Sequence, residues 1–184
     1  MTNQNLHIHD SLLEECRRGS RKAQFSIYSL YSKAMFNAAY RIVNSREEAE
    51  DVLQEAFTDC FRNLGSFRTD STFGVWLKTI VVNKCINRLR KREADLMYID
   101  DYKMFEKAEE EPPEMIGPDP ATIAKAVEKL PDGYRVVLSL YLLEGYDHSE
   151  ISQIMNISES TSKTQYLRAK EKLKKILLTM HKDG

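Results

Sequence analysis

The chain has few of the features that mark secreted, disulfide-linked or membrane-spanning proteins. Its 184 residues include three cysteines, and their wide spacing and odd number fit reduced thiols better than a disulfide framework. The first ten residues, MTNQNLHIHD, contain no apolar signal core, and no run approaches the roughly 18 apolar residues that a membrane span needs. We therefore expect a soluble cytoplasmic protein without membrane insertion.

Net charge is almost absent as well. The 27 basic and 28 acidic side chains give a formal charge of -1, so total charge indicates no particular partner. The charges are nevertheless segregated along the chain. Residues 84–92 carry five basic side chains and no acid, residues 93–120 carry ten acids against two bases, and residues 163–175 carry six bases against one acid. Two basic stretches therefore flank an acidic one.

No segment alternates like a convincing strand, whereas helix signals recur. Segment 106–120 holds four of the five prolines and dense negative charge, which is typical of a linker. The sequence predicts an all-α fold with two small helical domains, 1–92 and 120–184, joined by an acidic flexible linker at 93–119. Helices are predicted at 10–19, 20–43, 45–64, 72–92 and 120–130, followed by three more that break at Gly145 and around Asn156.

The last two predicted helices have the dimensions of a helix-turn-helix. A short helix from Ser149 to Met155 precedes a turn at Asn156, a residue that tolerates left-handed backbone, and Ser158 can cap the next helix. One face of that helix is predicted to pack inward, and the opposite face carries Lys163, Thr164, Leu167, Arg168 and Lys174. Leu167 is suited to touch a thymine methyl group. In the alternative, Leu167 packs on a neighbouring helix and the basic side chains are merely solvated.

The predicted helix over residues 46–64 carries acids and amides opposite its apolar stripe. Asp51, Gln54, Glu55 and Thr58 line this polar side, which is either a solvated helix face or a docking surface for a basic partner. Catalysis by the paired carboxylates is not favoured, because no His, Cys or metal-spaced group accompanies them.

The next predicted helix places amides, an indole and a basic tail within one sector, a combination that suits a polynucleotide. This sector contains Trp76, Thr79, Asn83, Asn87 and Arg90, whereas Leu77, Val81, Cys85 and Leu89 fall elsewhere on the helix. The preceding loop offers Phe67, Ser71, Thr72 and Phe73 as walls for an unstacked base. The aromatic side chains, Trp76 included, are equally compatible with a place in the core.

Three motifs in this order resemble an alternative bacterial sigma factor of the two-domain, extracytoplasmic-function type. They are AEDVLQEAF (49–57), FRTDSTFGVWLKTIVVNKCINRLRKR (67–92) and EGYDHSEISQIMNISESTSKTQYLRAKEKL (144–173). The resemblance implies reversible binding to core RNA polymerase, recognition of -10 and -35 promoter elements, and assistance in melting the DNA.

The resemblance also implies roles for individual residues. The clamp of the largest polymerase subunit would be bound by Asp51, Gln54, Glu55 and Phe57. The -10 region would be bound by Phe67, Ser71, Thr72, Phe73, Trp76, Asn83, Asn87 and Arg90, with the loop capturing a flipped base. The -35 region would be bound by Lys163, Thr164, Leu167 and Arg168. Asn87 stands where Asp is frequent in the family, and Ser162 where a valine often packs.

The partners implied are core RNA polymerase, promoter DNA and an anti-sigma factor, because no additional sensing domain is evident. We expect no catalytic residue, no cofactor and no metal. A helix-turn-helix regulator that binds DNA without polymerase is an alternative, although it leaves residues 46–92 without a role. An enzyme using His148 with Asp147 and Glu150, or a metal site at His7, His9 and Asp10, is disfavoured because DHSE is better explained as a capped helix start.

Overall fold

The computed structural model describes residues 9–68, 71–92 and 119–182, and every regular element within these ranges is a helix. The chain separates into two compact units, Met1–Lys91 and Arg92–Gly184. The predicted all-α class is confirmed. His7, Thr69, Asp70 and the greater part of the predicted linker lie outside the described residues.

The described residues of the N-terminal unit form four α-helices, and the breaks between them follow local backbone signals. Two breaks pair a residue in left-handed backbone with a serine cap. Gly19 (φ 85°) precedes Ser20, whose Oγ accepts from the Ala23 N–H, and Asn44 (φ 54°) precedes Ser45, whose Oγ accepts from the Glu48 N–H. The helices are α1 (Asp10–Arg17), α2 (Arg21–Val43), α3 (Arg46–Arg62) and α4 (Phe73–Arg92), with a 3-10 turn at Leu64–Ser66.

The core of this unit is built from one apolar face of each helix. On α4 the predicted inward residues, Leu77, Val81, Cys85 and Leu89, are all buried. A Cβ on Gly74 would lie 3.1 Å from Cε1 of Tyr31, so the first turn of α4 approaches α2 as closely as the glycine allows. This contact places the start of α4 against α2, and the residues opposite the buried stripe of α4 remain exposed.

The C-terminal unit contains α5 (Pro120–Glu128), α6 (Asp132–Leu142), α7 (His148–Met155) and α8 (Glu159–Lys182). Asp119 caps α5: its Oδ1 accepts from the N–H groups of Ala121 (2.8 Å) and Thr122 (3.1 Å). A small apolar core joins the helices, and Arg135 is buried beside it, where it pairs with Asp132 and donates to the Leu130 carbonyl oxygen. The core comprises Val127, Leu130, Leu138 and Ala169, with Tyr134, Tyr166, Leu173 and Ile176 packed against it.

Candidate functional site

The turn between α7 and α8 has the predicted helix-turn-helix form. Asp147 and Glu150 form a reciprocal capping box at the start of α7, so this helix begins at His148, one residue earlier than predicted. Asn156 ends α7 in the left-handed conformation (φ 55°). Ser158 Oγ then accepts from the Thr161 N–H at 3.0 Å and starts α8. These local bonds fix the direction in which α8 leaves the turn.

The two faces of α8 separate as the sequence predicts. Ser162 and Ala169 are fully buried, whereas Lys163 and Thr164 are exposed, and Leu167 keeps 59% of its surface in solvent. Leu167 therefore does not pack on a neighbouring helix. Arg168 is half-buried at the edge of the exposed face. The exposed side of α8 is thus an apolar side chain surrounded by basic and hydroxyl groups, a surface that fits a DNA major groove.

His148 serves to pack α7 on α8. Its Nδ1 lies 2.9 Å from the Ser162 Oγ, and its ring stacks on Tyr141 with centroids 4.5 Å apart. The bond gives the buried Ser162 hydroxyl a partner, which accommodates a polar side chain at an inward position. Asp147 and Glu150 are occupied by the capping box. The Ser162 hydroxyl beside the imidazole is fully buried, so a substrate does not reach this pair. In the described ranges no cluster of His, Cys, Asp and Glu could hold a metal ion.

The predicted amide face of α4 is exposed. Thr79, Asn83, Asn87 and Arg90 all lie on the surface, opposite the buried stripe of the same helix. Trp76 differs from them, because it is half-buried and its ring packs on neighbouring aromatic side chains. The solvent-facing part of this site is therefore a row of hydrogen-bonding side chains along α4, and the helix ends in a basic segment.

The aromatic residues of the preceding loop belong to the core. Phe67 and Phe73 are buried, with ring centroids 5.7 Å apart, and each lies against Trp76 at 5.3 and 5.8 Å. Phe73 also meets Tyr31 edge to face at 5.2 Å. The prediction that Phe67 and Phe73 offer open walls to a base is corrected, because both rings are already covered by aromatic neighbours.

The polar members of the same loop remain accessible. Thr72 is exposed, and its Oγ1 lies 3.4 Å from the Val75 N–H as a cap for α4, while Ser71 is half-buried. The surface at this end of α4 therefore presents hydroxyl groups, with the aromatic cluster behind them.

On α3, the polar face predicted to dock a partner is exposed at Asp51, Gln54 and Glu55. Phe57 is not part of it. Its side chain is only 4% exposed and packs against Tyr28, with ring centroids 4.8 Å apart. The assignment of Phe57 to the docking surface is therefore corrected to a core role, since the apolar stripe of α3 turns it inward.

Two basic residues of α4 contact the α3 carboxylates, and sequence reasoning missed both. Arg88 Nη1 lies 3.0 Å from Asp51 Oδ2, and its Nη2 lies 2.8 Å from Glu55 Oε1. Lys84 Nζ lies 2.7 Å from Asp59 Oδ2 and 3.6 Å from Glu55 Oε2. A matching four-residue spacing of acids and bases was the available signal, but it becomes meaningful only when the two helices are placed side by side.

These contacts have electrostatic consequences that follow from the geometry. The hydrogen bond to Asp51, reinforced by the nearby Glu55 charge, raises the pKa of the Arg88 guanidinium above its usual value. The hydrogen bond from Lys84 lowers the pKa of the Asp59 carboxyl, with a smaller contribution from the Lys84 and Arg62 charges. Both groups are therefore more firmly charged than they would be alone.

The fold and these surfaces define an all-helical, two-unit protein of the helix-turn-helix DNA-binding class. Comparison with known families narrows the class. Residues 27–94 match Sigma-70 region 2, and residues 121–173 match Sigma-70, region 4. All but the last three residues of the first match lie in the first compact unit, and the second match lies in the second unit.

Curated relatives align along most of the chain. It is 32% identical over 178 residues to the RNA polymerase sigma-H factor of Pseudomonas aeruginosa, covering 90% of this chain and 92% of that protein. It is 32% identical over 172 residues to the ECF RNA polymerase sigma-E factor of Escherichia coli (strain K12), covering 87% and 89%. It is 30% identical over 177 residues to the ECF RNA polymerase sigma factor SigW of Bacillus subtilis, covering 90% and 94%.

Solved structures share the fold. The sigma factor RpoE, in complex with the anti-sigma factor NepR from Bartonella quintana, superimposes with a TM-score of 0.56 at 23% identity, over 83% of this chain and 94% of that one. CnrH, in complex with the cytosolic domain of CnrY, gives a TM-score of 0.55 at 23% identity, over 91% and 96%.

The chain belongs to the extracytoplasmic-function (ECF) sigma factors. It is an alternative sigma factor, a DNA-binding initiation factor that binds core RNA polymerase and directs transcription initiation at promoters. Over the part of the chain that the structure describes, none of the helices combines the length and apolarity required to cross a lipid bilayer.

Proposed function

We propose that the three exposed polar surfaces divide the work of promoter-specific initiation among three helices. The face of α3 docks on polymerase, the amide face of α4 binds the -10 region, and the exposed face of α8 reads the -35 element. The observation that carries this proposal is that the N-terminal unit exposes two polar faces, on α3 and α4, outside the helix-turn-helix unit. A regulator that bound duplex DNA alone would need neither face.

On α3, Asp51, Gln54 and Glu55 form the polymerase-docking surface. Both carboxylates are about half exposed although they are paired with Arg88, so a basic partner reaches them from solvent. Gln54 also lines an open cleft of about 410 Å³ between α2 and α3, which gives the partner a recess beside the charges. Carboxylates and an amide on one face suit a basic docking partner, and this partner is the clamp of the largest polymerase subunit.

On α4, the amides of Asn83 and Asn87 hydrogen-bond to bases or sugars of the -10 DNA, and Arg90 neutralises a phosphate. Ser71 and Thr72 contact the strand at the start of the helix. The role of Trp76, Phe67 and Phe73 is to support this surface from beneath, because their rings form one packed cluster. The half-buried Trp76 leaves part of its indole for stacking against a base during melting.

On α8, Lys163, Thr164, Leu167 and Arg168 enter the major groove of the -35 element. Leu167 contacts a thymine methyl group, while the basic side chains reach phosphates or guanine edges. Lys163 Nζ lies 2.6 Å from Glu159 Oε1 in the free protein, so Lys163 exchanges this exposed ion pair for a DNA contact on binding.

Regulation by an anti-sigma factor is the fourth part of the proposal. Two solved structures that share the fold are complexes of a sigma factor with an anti-sigma factor, in one case, and of CnrH with the cytosolic domain of CnrY, in the other. An anti-sigma factor that covers the α3 face would prevent docking on polymerase. The chain itself acts by binding and positioning, without catalysis and without a cofactor.

The test is a run-off transcription assay on a randomised promoter library, with and without core RNA polymerase. Transcripts that require both proteins, and that share two short sequence elements, support the proposed division of roles. Transcription by core polymerase that is independent of the chain, together with tight duplex binding by the chain alone, would favour the regulator instead.

A further inference from the structure

Alternating charges join α3 to α4 across the surface of the N-terminal unit. In order they are Asp51, Arg88, Glu55, Lys84 and Asp59, and we refer to them as the charge ladder. The acids recur at every fourth residue of α3, and the two bases are four residues apart on α4. Each base therefore lies between two acids, and three of the four contacts are 3.0 Å or shorter.

The acids and bases of the charge ladder differ in accessibility. The side chains of Lys84 and Arg88 are 22% and 26% exposed, whereas Asp51 and Glu55 are 56% and 52% exposed. A partner approaching α3 therefore meets the carboxylates first. The bases lie further back, with their charge directed at α3 rather than at solvent.

The same two bases border the amide face of α4. Lys84 directly follows Asn83, and Arg88 directly follows Asn87, so each base is displaced by about 100° around the helix at almost the same height. An arginine side chain is long and flexible enough to turn from the α3 side toward a strand lying on the amides. The charge ladder thus connects the proposed docking surface with the proposed -10 surface through individual side chains.

We propose that Arg88 is a DNA-contacting side chain held in reserve by Asp51 and Glu55, and that docking of polymerase on these carboxylates releases its guanidinium to a phosphate beside Asn87. The inference rests on the proposed roles of α3 and α4. The exchange conserves charge pairing, since basic groups of the polymerase take the carboxylates while Arg88 takes a phosphate. Exposed ion pairs contribute little net free energy, so the exchange meets little resistance. Free sigma factor would then bind DNA weakly, and polymerase would strengthen that binding.

The test mimics the docking of polymerase by substitutions that remove the negative charge of the two carboxylates. The full chain carrying Asp51→Asn and Glu55→Gln is titrated against a fluorescent single-stranded DNA of randomised sequence, about 16 nucleotides long. We expect binding roughly three- to tenfold tighter than in the original chain at low salt, with the slope of log K against log salt steeper by about 0.7, as one additional phosphate contact requires. Adding Arg88→Gln should abolish the gain, and adding Arg88→Lys should retain it.

A matched control separates released Arg88 from reduced negative charge. Glu47→Gln with Glu50→Gln makes the same change in net charge on the same helix, and it frees Arg46, which pairs with Glu50 at 2.9 Å. This variant should show less than half the gain in affinity. An equal gain in the control, or a gain that persists in the Arg88→Gln background, would overturn the reserve role of Arg88.

A second measurement distinguishes this inference from the docking proposal. The variant and the original chain compete for core polymerase, and the competition gives the affinity of the variant for the core enzyme. Loss of core binding in the Asp51→Asn, Glu55→Gln variant supports the docking role, whatever happens to DNA affinity. If core binding is unchanged while the Arg88-dependent gain appears, the docking proposal fails and the contact between Arg88 and DNA stands. If core binding falls and no gain appears, only the reserve role fails. Unfolding midpoints verify that each variant is folded.

Discussion

At the scale of single residues, burial determines the chemistry of the cysteines. Cys16, Cys60 and Cys85 are all buried, and no disulfide joins any two of them. Burial raises the pKa of the Cys60 thiol to about 12, with a smaller contribution from Cys16. Since the thiolate is the reactive form, Cys60 is both inaccessible and almost entirely protonated at neutral pH.

We therefore predict that Cys60 resists alkylation. In the native protein at pH 7.5, iodoacetamide should modify Cys60 more than a hundredfold more slowly than a free cysteine thiol, and denaturant should restore the ordinary rate. Peptide mass spectrometry after timed quenching measures this rate for each cysteine separately. Rapid native labelling of Cys60 would show that the core around it opens readily.

Asn156 gives a second residue-scale prediction, because it holds left-handed backbone at the helix-turn-helix turn. Replacing Asn156 with Ala should destabilise the protein by about 1 kcal/mol, since only a few residue types adopt this conformation at low cost. Asn156→Gly should recover the greater part of this loss. Chemical denaturation of the three proteins measures the differences, and equal stability of the Ala variant would mean that the turn rearranges.

Single residues also show where sequence patterns are insufficient. Phe57, Phe67 and Phe73 stand inside motifs associated with binding, yet all three are buried. Helical spacing shows which residues share a face, but whether an aromatic ring at the start of a helix is covered depends on distant neighbours such as Tyr31. The amides of α4 were predictable, because Asn83 and Asn87 share a helix with an unmistakable buried stripe.

At the scale of elements, α8 carries a test of -35 recognition. Leu167→Ala should lower the ratio of transcription from an intact promoter to that from one with a scrambled -35 element by about five- to tenfold. The estimate corresponds to roughly 1–1.5 kcal/mol of lost apolar contact. Stability should change by less than about 0.5 kcal/mol, because Leu167 is exposed.

The matched control is Leu142→Ala, which shortens a leucine of similar exposure on α6. It should leave the promoter ratio unchanged, whatever effect it has on total transcription. A similar fall in the ratio for both variants would mean that exposed apolar surface in general, rather than Leu167, supports -35 recognition.

The amide face of α4 carries the corresponding test of melting. Asn83→Ala combined with Asn87→Ala should reduce open-complex formation at least tenfold, with less than a twofold effect on polymerase binding. Both amides are exposed, so the pair is preferable to any variant of Trp76, whose ring supports Phe67 and Phe73. Permanganate reactivity of unpaired thymines measures opening, and equal losses in opening and polymerase binding would assign this face a structural role.

At the scale of the whole molecule, the two proposed DNA-binding surfaces belong to separate compact units. Changes in independent parts of a protein usually have additive free energies. We predict that Leu167→Ala and the Asn83, Asn87 double variant, once combined, reduce promoter opening by the product of their separate factors, within about 0.5 kcal/mol. Opening rates of the three variants provide the measurement, and a much smaller combined effect would show that both surfaces limit the same step.

The sequence by itself determined the all-helical class, the helix boundaries to within a few residues, and the polar faces of α3, α4 and α8. These follow from local rules: capping residues, left-handed Asn and Gly, and the 3.6-residue period that separates buried from exposed sides. The order of the three motifs also indicated the sigma factor family.

Only the tertiary structure decided which aromatic rings are covered and which charges meet. Phe57, Phe67 and Phe73 entered the core because helices far apart in sequence close over them. Arg88 met Asp51 and Glu55 across more than thirty residues of chain because packing places α4 beside α3. Helical periodicity specifies directions around one axis, whereas pairing between helices depends on the distance and register that packing alone sets.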